Sequence, residues 1–68
     1  MKQETKILSH MITFGSITPA EAYENYGVLR LASRIYDLKK AGHGIVKTIE
    51  VGYNRYGERV KYARYELK

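Results

Sequence analysis

"GSITPAEAYENYGVLRLASRIYDLKKAGHGI", residues 15–45, decides how this chain is read. Thr18, Pro19 and Glu21 spell the start of a helix. A Thr hydroxyl can accept the N–H of the third helical residue. Proline suits the first helical position, where its missing N–H has no partner to lose. A Glu three residues after the Thr completes a capping box. This helix is predicted over roughly residues 19–25, and Asn25 to Gly27 supply the turn that stops it.

A further helix is predicted over roughly residues 28–41. At about 100° per residue, Leu31, Ile35 and Leu38 fall on one face and point at a core. Ser33, Tyr36, Asp37 and Lys40 lie toward the opposite side, with Arg30 and Arg34 on a flank between them. Lys39 and Lys40 in the last turn, followed by Gly42, make a sound C-terminus. The start is less sound. Arg30 falls in or near the first turn, where the helix dipole makes a cation unfavourable by roughly 0.3–1 kcal/mol. Arg34 follows one turn later, beside it. Breaks in local rules of this kind tend to mark function.

Upstream, "ETKILSHMITF", residues 4–14, has helical spacing. Ile7, Leu8, Met11, Ile12 and Phe14 are its expected apolar stripe, and Gly15 can end it. Downstream, the period changes to two. "IVKTIEV", residues 45–51, is rich in β-branched residues, with Ile45, Ile49 and Val51 on one face and Lys47 among them. "RVKYARYEL", residues 59–67, is a second strand, in which Ala63, Tyr65 and Leu67 share one parity and Val60, Tyr62 and Arg64 the other. "GYNRYGE", residues 52–58, is the loop between them.

A chain of 68 residues is expected to be one domain, residues 1–68, that spends most of its apolar residues on its core. It has no cysteine, which excludes disulfides and thiolate metal sites. No apolar run reaches the roughly 20 residues of a membrane span, and no apolar leader core follows Met1. A soluble protein of the cytoplasm, bacterial or phage-infected, is expected.

The net charge is +5, unevenly spread. Residues 1–28 hold Lys2 and Lys6 against Glu4, Glu21 and Glu24, a net of −1. Residues 29–68 hold ten Lys or Arg against Asp37, Glu50, Glu58 and Glu66, a net of +6. Such asymmetry points to a polyanionic partner, or else to ordinary solubility charge.

The order is three helices and then an antiparallel hairpin, with a tight Gly27 turn joining the second and third helices. This is the α+β layout of a winged helix-turn-helix, with a two-stranded antiparallel β-hairpin as the wing. The chain resembles a family of small helix-turn-helix proteins common in phages and bacterial mobile elements. The match lies in residues 15–45 quoted above and in the later "YARYEL", and it extends over nearly the whole chain. The resemblance implies a winged-helix fold and DNA binding. It does not imply which DNA.

In helix-turn-helix proteins the recognition helix enters the major groove, and its first residues touch base edges. An arginine misplaced in the free protein is then well placed, because its fork can grip guanine or phosphate. For Arg30 this reading is preferred over a pair with Glu21 or Glu24. For Arg34, DNA contact and a local pair with Asp37 both stand. Ser33 is small enough to let the helix approach. Tyr36 and Lys40 can bond phosphates, or form an ordinary solvated face. On the hairpin, which carries Lys47, Arg55, Arg59, Lys61 and Arg64, the expected contacts are Arg55 at the tip, Arg59 and Lys61. A charged hairpin also guards an edge strand against aggregation. Tyr62 and Tyr65 are expected to pack against helices.

His10 and His43 lie too far apart in the chain, without cysteine, to suggest a metal site. No phosphate-binding glycine loop, nucleophile triad or paired carboxylates appear. No enzyme activity, cofactor, small-molecule substrate or membrane contact is expected. Double-stranded DNA is the expected partner and transcription regulation the expected role. Two other roles stay open. One is an interaction module for an acidic host protein, served by Tyr23, Tyr26, Tyr36, Tyr53 and Tyr56. The other is an excisionase-like architectural role in recombination. A homodimer through the wing edge also stays open.

Overall fold

A computed structural model describes residues 2–68. The elements run α1 (Gln3–Phe14), β1 (Ser16–Ile17), α2 (Pro19–Tyr26), α3 (Leu31–Lys40), β2 (Ile45–Tyr53) and β3 (Arg59–Leu67). The expected two-stranded wing is corrected to a three-stranded antiparallel sheet of order β1-β3-β2. In the added strand, Ser16 pairs with Glu66 and Ile17 with Tyr65. Two residues are too short to show a period of two. Their pairing comes from docking, with Ile17 fully buried.

The capping box is present. Thr18 N–H donates to Glu21 Oε1 at 2.9 Å, and Glu21 N–H donates to Thr18 Oγ1 at 3.3 Å. Pro19 takes the first helical position. The helix ends on Gly27, whose φ of +68° is left-handed and favours glycine.

The expected start of α3 at residue 28 is corrected to Leu31. Val28 turns into the core as a buried residue, while Leu29 is left 80% exposed. Residues 27–30 are therefore the turn of the helix-turn-helix. Arg30 becomes the residue just before the helix, and its carbonyl accepts from Ser33 N–H at 3.1 Å. At the far end, Gly42 with φ +104° turns the chain out after Ala41.

The core gathers Ile7 and Met11 of α1, Ile17, Ala22, Val28, Leu31, Ile35 and Leu38 of α3, Ile45 and Tyr65. Each large apolar side chain buried this way contributes about 1.5–3 kcal/mol. The expected α1 stripe is half right. Ile7 and Met11 are buried and Leu8 packs partly, but Ile12 is 67% and Phe14 70% exposed. The buried arc of α1 runs through His10 instead, and Ile12 points about 140° away from Ile7. His10 Nδ1 lies 2.7 Å from the Tyr26 hydroxyl, and its ring lies tilted against Phe14 with centroids 4.6 Å apart. Tyr26, expected to be free surface, is thus half-buried as the partner of His10. Tyr65 is buried as expected, and Tyr62 lies beside Thr18 and Ala20 at the start of α2.

Candidate nucleic-acid interface

The sheet sorts its charges by face. The register pairs Ile45 with Leu67, Lys47 with Tyr65, Ile49 with Ala63, Val51 with Lys61 and Tyr53 with Arg59. Strand side chains alternate between faces, so these odd-numbered residues share one face. Tyr65 and Lys47 line a groove together with α3 there, so this is the face turned toward α3 at its base. It carries Lys47, Arg59 and Lys61 and no acid. The other face carries Arg64 with Glu50 and Glu66.

Arg64 is tied down. Its Nε donates to Glu50 Oε2 at 2.9 Å, its Nη1 donates to Ser16 Oγ at 2.7 Å, and Glu21 Oε1 lies 3.9 Å away. One side chain thereby joins β2, β3, β1 and the start of α2. The Arg64 hydrogen bond holds the Glu50 carboxyl below its ordinary value, and the Tyr62 hydroxyl adds to this. The same partner pushes the Arg64 guanidinium up. Among the described residues, Lys47, Arg59 and Lys61 have no ion pair within 4 Å.

Between α3 and the sheet lies an open groove of about 510 Å³. Ile35 and Tyr65 form its floor, and Tyr36, Lys39, Lys40 and Lys47 stand around it. Lys40 Nζ sits 5.4 Å from the centre of the Tyr36 ring, a cation–π geometry that orders the ammonium without neutralising it. Three ammonium groups without carboxylate partners thus stand around an apolar channel, an arrangement that attracts a polyanion.

The two early arginines part company. Arg34 is half-buried between α1 and α3. Its Nη1 donates to Glu4 Oε1 at 3.2 Å, and its Nη2 lies 3.4 Å from Asp37 Oδ2. The Asp37 pair open to the sequence is present, and Glu4 joins it from 30 residues away. Arg30 is exposed just before α3, where the helix N–H groups also point. Among the described residues it pairs with neither Glu21 nor Glu24. Ser33 is half-buried, and Tyr36 and Lys40 are exposed on the flank of α3 that borders the groove, rather than opposite the core face.

At the tip, Asn54 organises the loop. Its Oδ1 accepts from Tyr56 N–H at 2.9 Å and Glu58 N–H at 3.0 Å, and Gly57 turns the chain with φ +78°. These bonds fix the backbone and leave Arg55 and Tyr56 projecting into solvent. Lys39 and Lys47 were not singled out as contacts by sequence. A usable signal existed for both. Period two puts Lys47 on the face of Ile45 and Ile49, and helical spacing puts Lys39 beside Ala32 and Tyr36.

Three helices, an exposed third helix and a long basic hairpin beside it define a winged helix-turn-helix protein. The chain belongs to the winged helix-turn-helix domain family, whose pattern matches residues 2–68. No curated protein and no solved structure matches the chain. Membership points to DNA binding, and domains of this class are typically DNA-binding modules without enzymatic activity. Among the described residues, no helix is long and apolar enough to cross a membrane.

Proposed function

We propose that this chain, as one domain over residues 1–68, binds double-stranded DNA in the cytoplasm as a transcriptional regulator of phage or mobile-element type. The single observation that carries this reading is the sorting of charge. The unpaired cations of the wing strands share the face turned toward α3, and the opposite face neutralises its one arginine. Solubility charge has no reason to be sorted in this way. The phage or mobile-element assignment is supported by the resemblance in residues 15–45.

In this reading α3 enters the major groove. Arg30 meets a guanine edge, Ser33 permits close approach, and Tyr36 and Lys40 bond phosphates. The backbone of the same duplex passes the groove lined by Lys39, Lys40 and Lys47. Arg59 and Lys61 continue that contact along the wing, and Arg55 holds the flank. Arg34 orients α3 against α1 and reaches DNA only through the position it gives the helix.

Selection of bound duplexes from random DNA, followed by titration in rising salt, tests this. A shared motif should emerge, with affinity falling steeply between roughly 50 and 200 mM salt as counterion release predicts. No enrichment and salt-independent binding would overturn it. Exposed Tyr23, Tyr53 and Tyr56 favour a second reading, in which an acidic host protein docks on the chain instead. Capture of one partner that persists after nuclease treatment would select that reading.

A further inference from the structure

In the sheet order β1-β3-β2, strand β2 has no neighbour on its outer side among the described residues, along all nine of its residues. The direction of its backbone groups can be worked out. Lys68 N–H donates to Gly44 O at 3.0 Å at one end of the β2–β3 ladder, and Asn54 N–H donates to Glu58 O at 3.0 Å at the other. Hydrogen-bonded pairs alternate along an antiparallel ladder, so the even-numbered residues of β2 bond to β3. The N–H and C=O groups of Ile45, Lys47, Ile49, Val51 and Tyr53 therefore point outward, unpaired.

We propose that this edge joins a second copy of the chain, β2 against β2, antiparallel and centred on Ile49. Ile49 is the midpoint of Ile45–Tyr53, so this register alone pairs the strand over its full length. Ile45 meets Tyr53, Lys47 meets Val51 and Ile49 meets itself, and each of these pairs uses the outward backbone groups. On the other face Thr48 meets Glu50 and Val46 meets Gly52. No like charges meet. A register centred on Lys47 or on Glu50 would set two like charges against each other, which is destabilising. The open stretch of β3 is a poorer edge, because it carries Arg59 and Lys61, both positive. Ile49 is 56% and Val51 44% exposed in the single chain, and cross-strand contact covers part of both.

Two three-stranded sheets would then form one six-stranded sheet about a twofold axis normal to it. Such an axis leaves both α3 helices on the same side. A pair of copies therefore presents two recognition helices together, as an inverted repeat requires. The pairing itself needs no DNA, so its test is separate from the DNA reading.

The chain has no cysteine, so single cysteines report on the register cleanly. A hydrogen-bonded pair places Cα atoms about 5.5 Å apart, within the disulfide range of about 4.4–6.8 Å. Mild oxidation of the full chain without DNA should cross-link Ile49→Cys to itself, and Thr48→Cys far less. Sedimentation should show the unmodified protein shifting from monomer to dimer as concentration rises. Ile49→Lys and Val51→Pro, each with native circular dichroism, should stay monomeric, the first by repulsion at the axis and the second by loss of an outward N–H. A protein monomeric at every concentration would overturn the proposal. So would faster cross-linking at Thr48 than at Ile49, or dimers unchanged in both variants.

Discussion

Arg64 Nε donates to Glu50 Oε2 at 2.9 Å across the β2–β3 pair, on the diagonal two residues from direct opposition. The bond lies on the face of the sheet away from α3, and the same guanidinium reaches Ser16 Oγ of β1. Glu50 therefore has a folded pKa below its unfolded one. A lowered carboxyl pKa gives stability that is present above the unfolded value and lost as pH falls through the folded value. Thermal unfolding followed from neutral pH down through the carboxylate range should show this loss, with a smaller acid-side loss in Glu50→Gln. Identical acid profiles for the two proteins would remove the Glu50 contribution.

Arg30 and Arg34, one turn apart, should separate by assay. Arg34→Ala breaks contacts to Glu4 and Asp37. It should lower stability by roughly 0.2–1 kcal/mol for each partly exposed pair. Arg30→Ala should leave the melting temperature unchanged and weaken binding to the selected site by about 1–3 kcal/mol, with relaxed specificity at one base pair. Equal loss on selected and random DNA would make Arg30 a phosphate contact.

The Thr18 cap secures the start of α2, against which β3 also packs through Tyr62. Thr18→Ala should cost about 0.5–2 kcal/mol. Thr18→Ser keeps the acceptor oxygen and should recover most of it, as chemical denaturation can show.

Ile35→Ala removes a core side chain from beneath the groove. Substitutions of this type cost roughly 2–5 kcal/mol. In a domain this small that is a large share of the total. A melting curve should show a much lowered transition or none.

The sequence revealed most of what local chemistry dictates. The capping box, the Gly27 turn, the Leu31–Ile35–Leu38 face and both long strands were visible because each has its own period or cap. Residues 28–30 looked helical because Val28 and Leu29 suit a helix; burial of Val28 in the core decided otherwise. Strand β1 was invisible because two residues have no period. The Glu4–Arg34 pair was invisible because 30 residues separate its members. Of the site, the exposed cations were legible by type. Their sorting by face required the register, which sets Lys47 opposite Tyr65.

The proposed DNA contact lies on the α3 side of the sheet. A carboxylate placed on one face of the sheet or the other separates this contact from binding on the far side. Lys47 of β2 and Val60 of β3 point to opposite faces of the sheet, so Lys47→Glu and Val60→Glu differ in the face they alter. Duplex affinity should be measured for both, with folding checked by circular dichroism, over a series of salt concentrations. Lys47→Glu should weaken binding strongly and reduce the salt dependence by at least one phosphate contact, while Val60→Glu should change little. Equal losses in both, or a greater loss in Val60→Glu, would place the DNA on the other face.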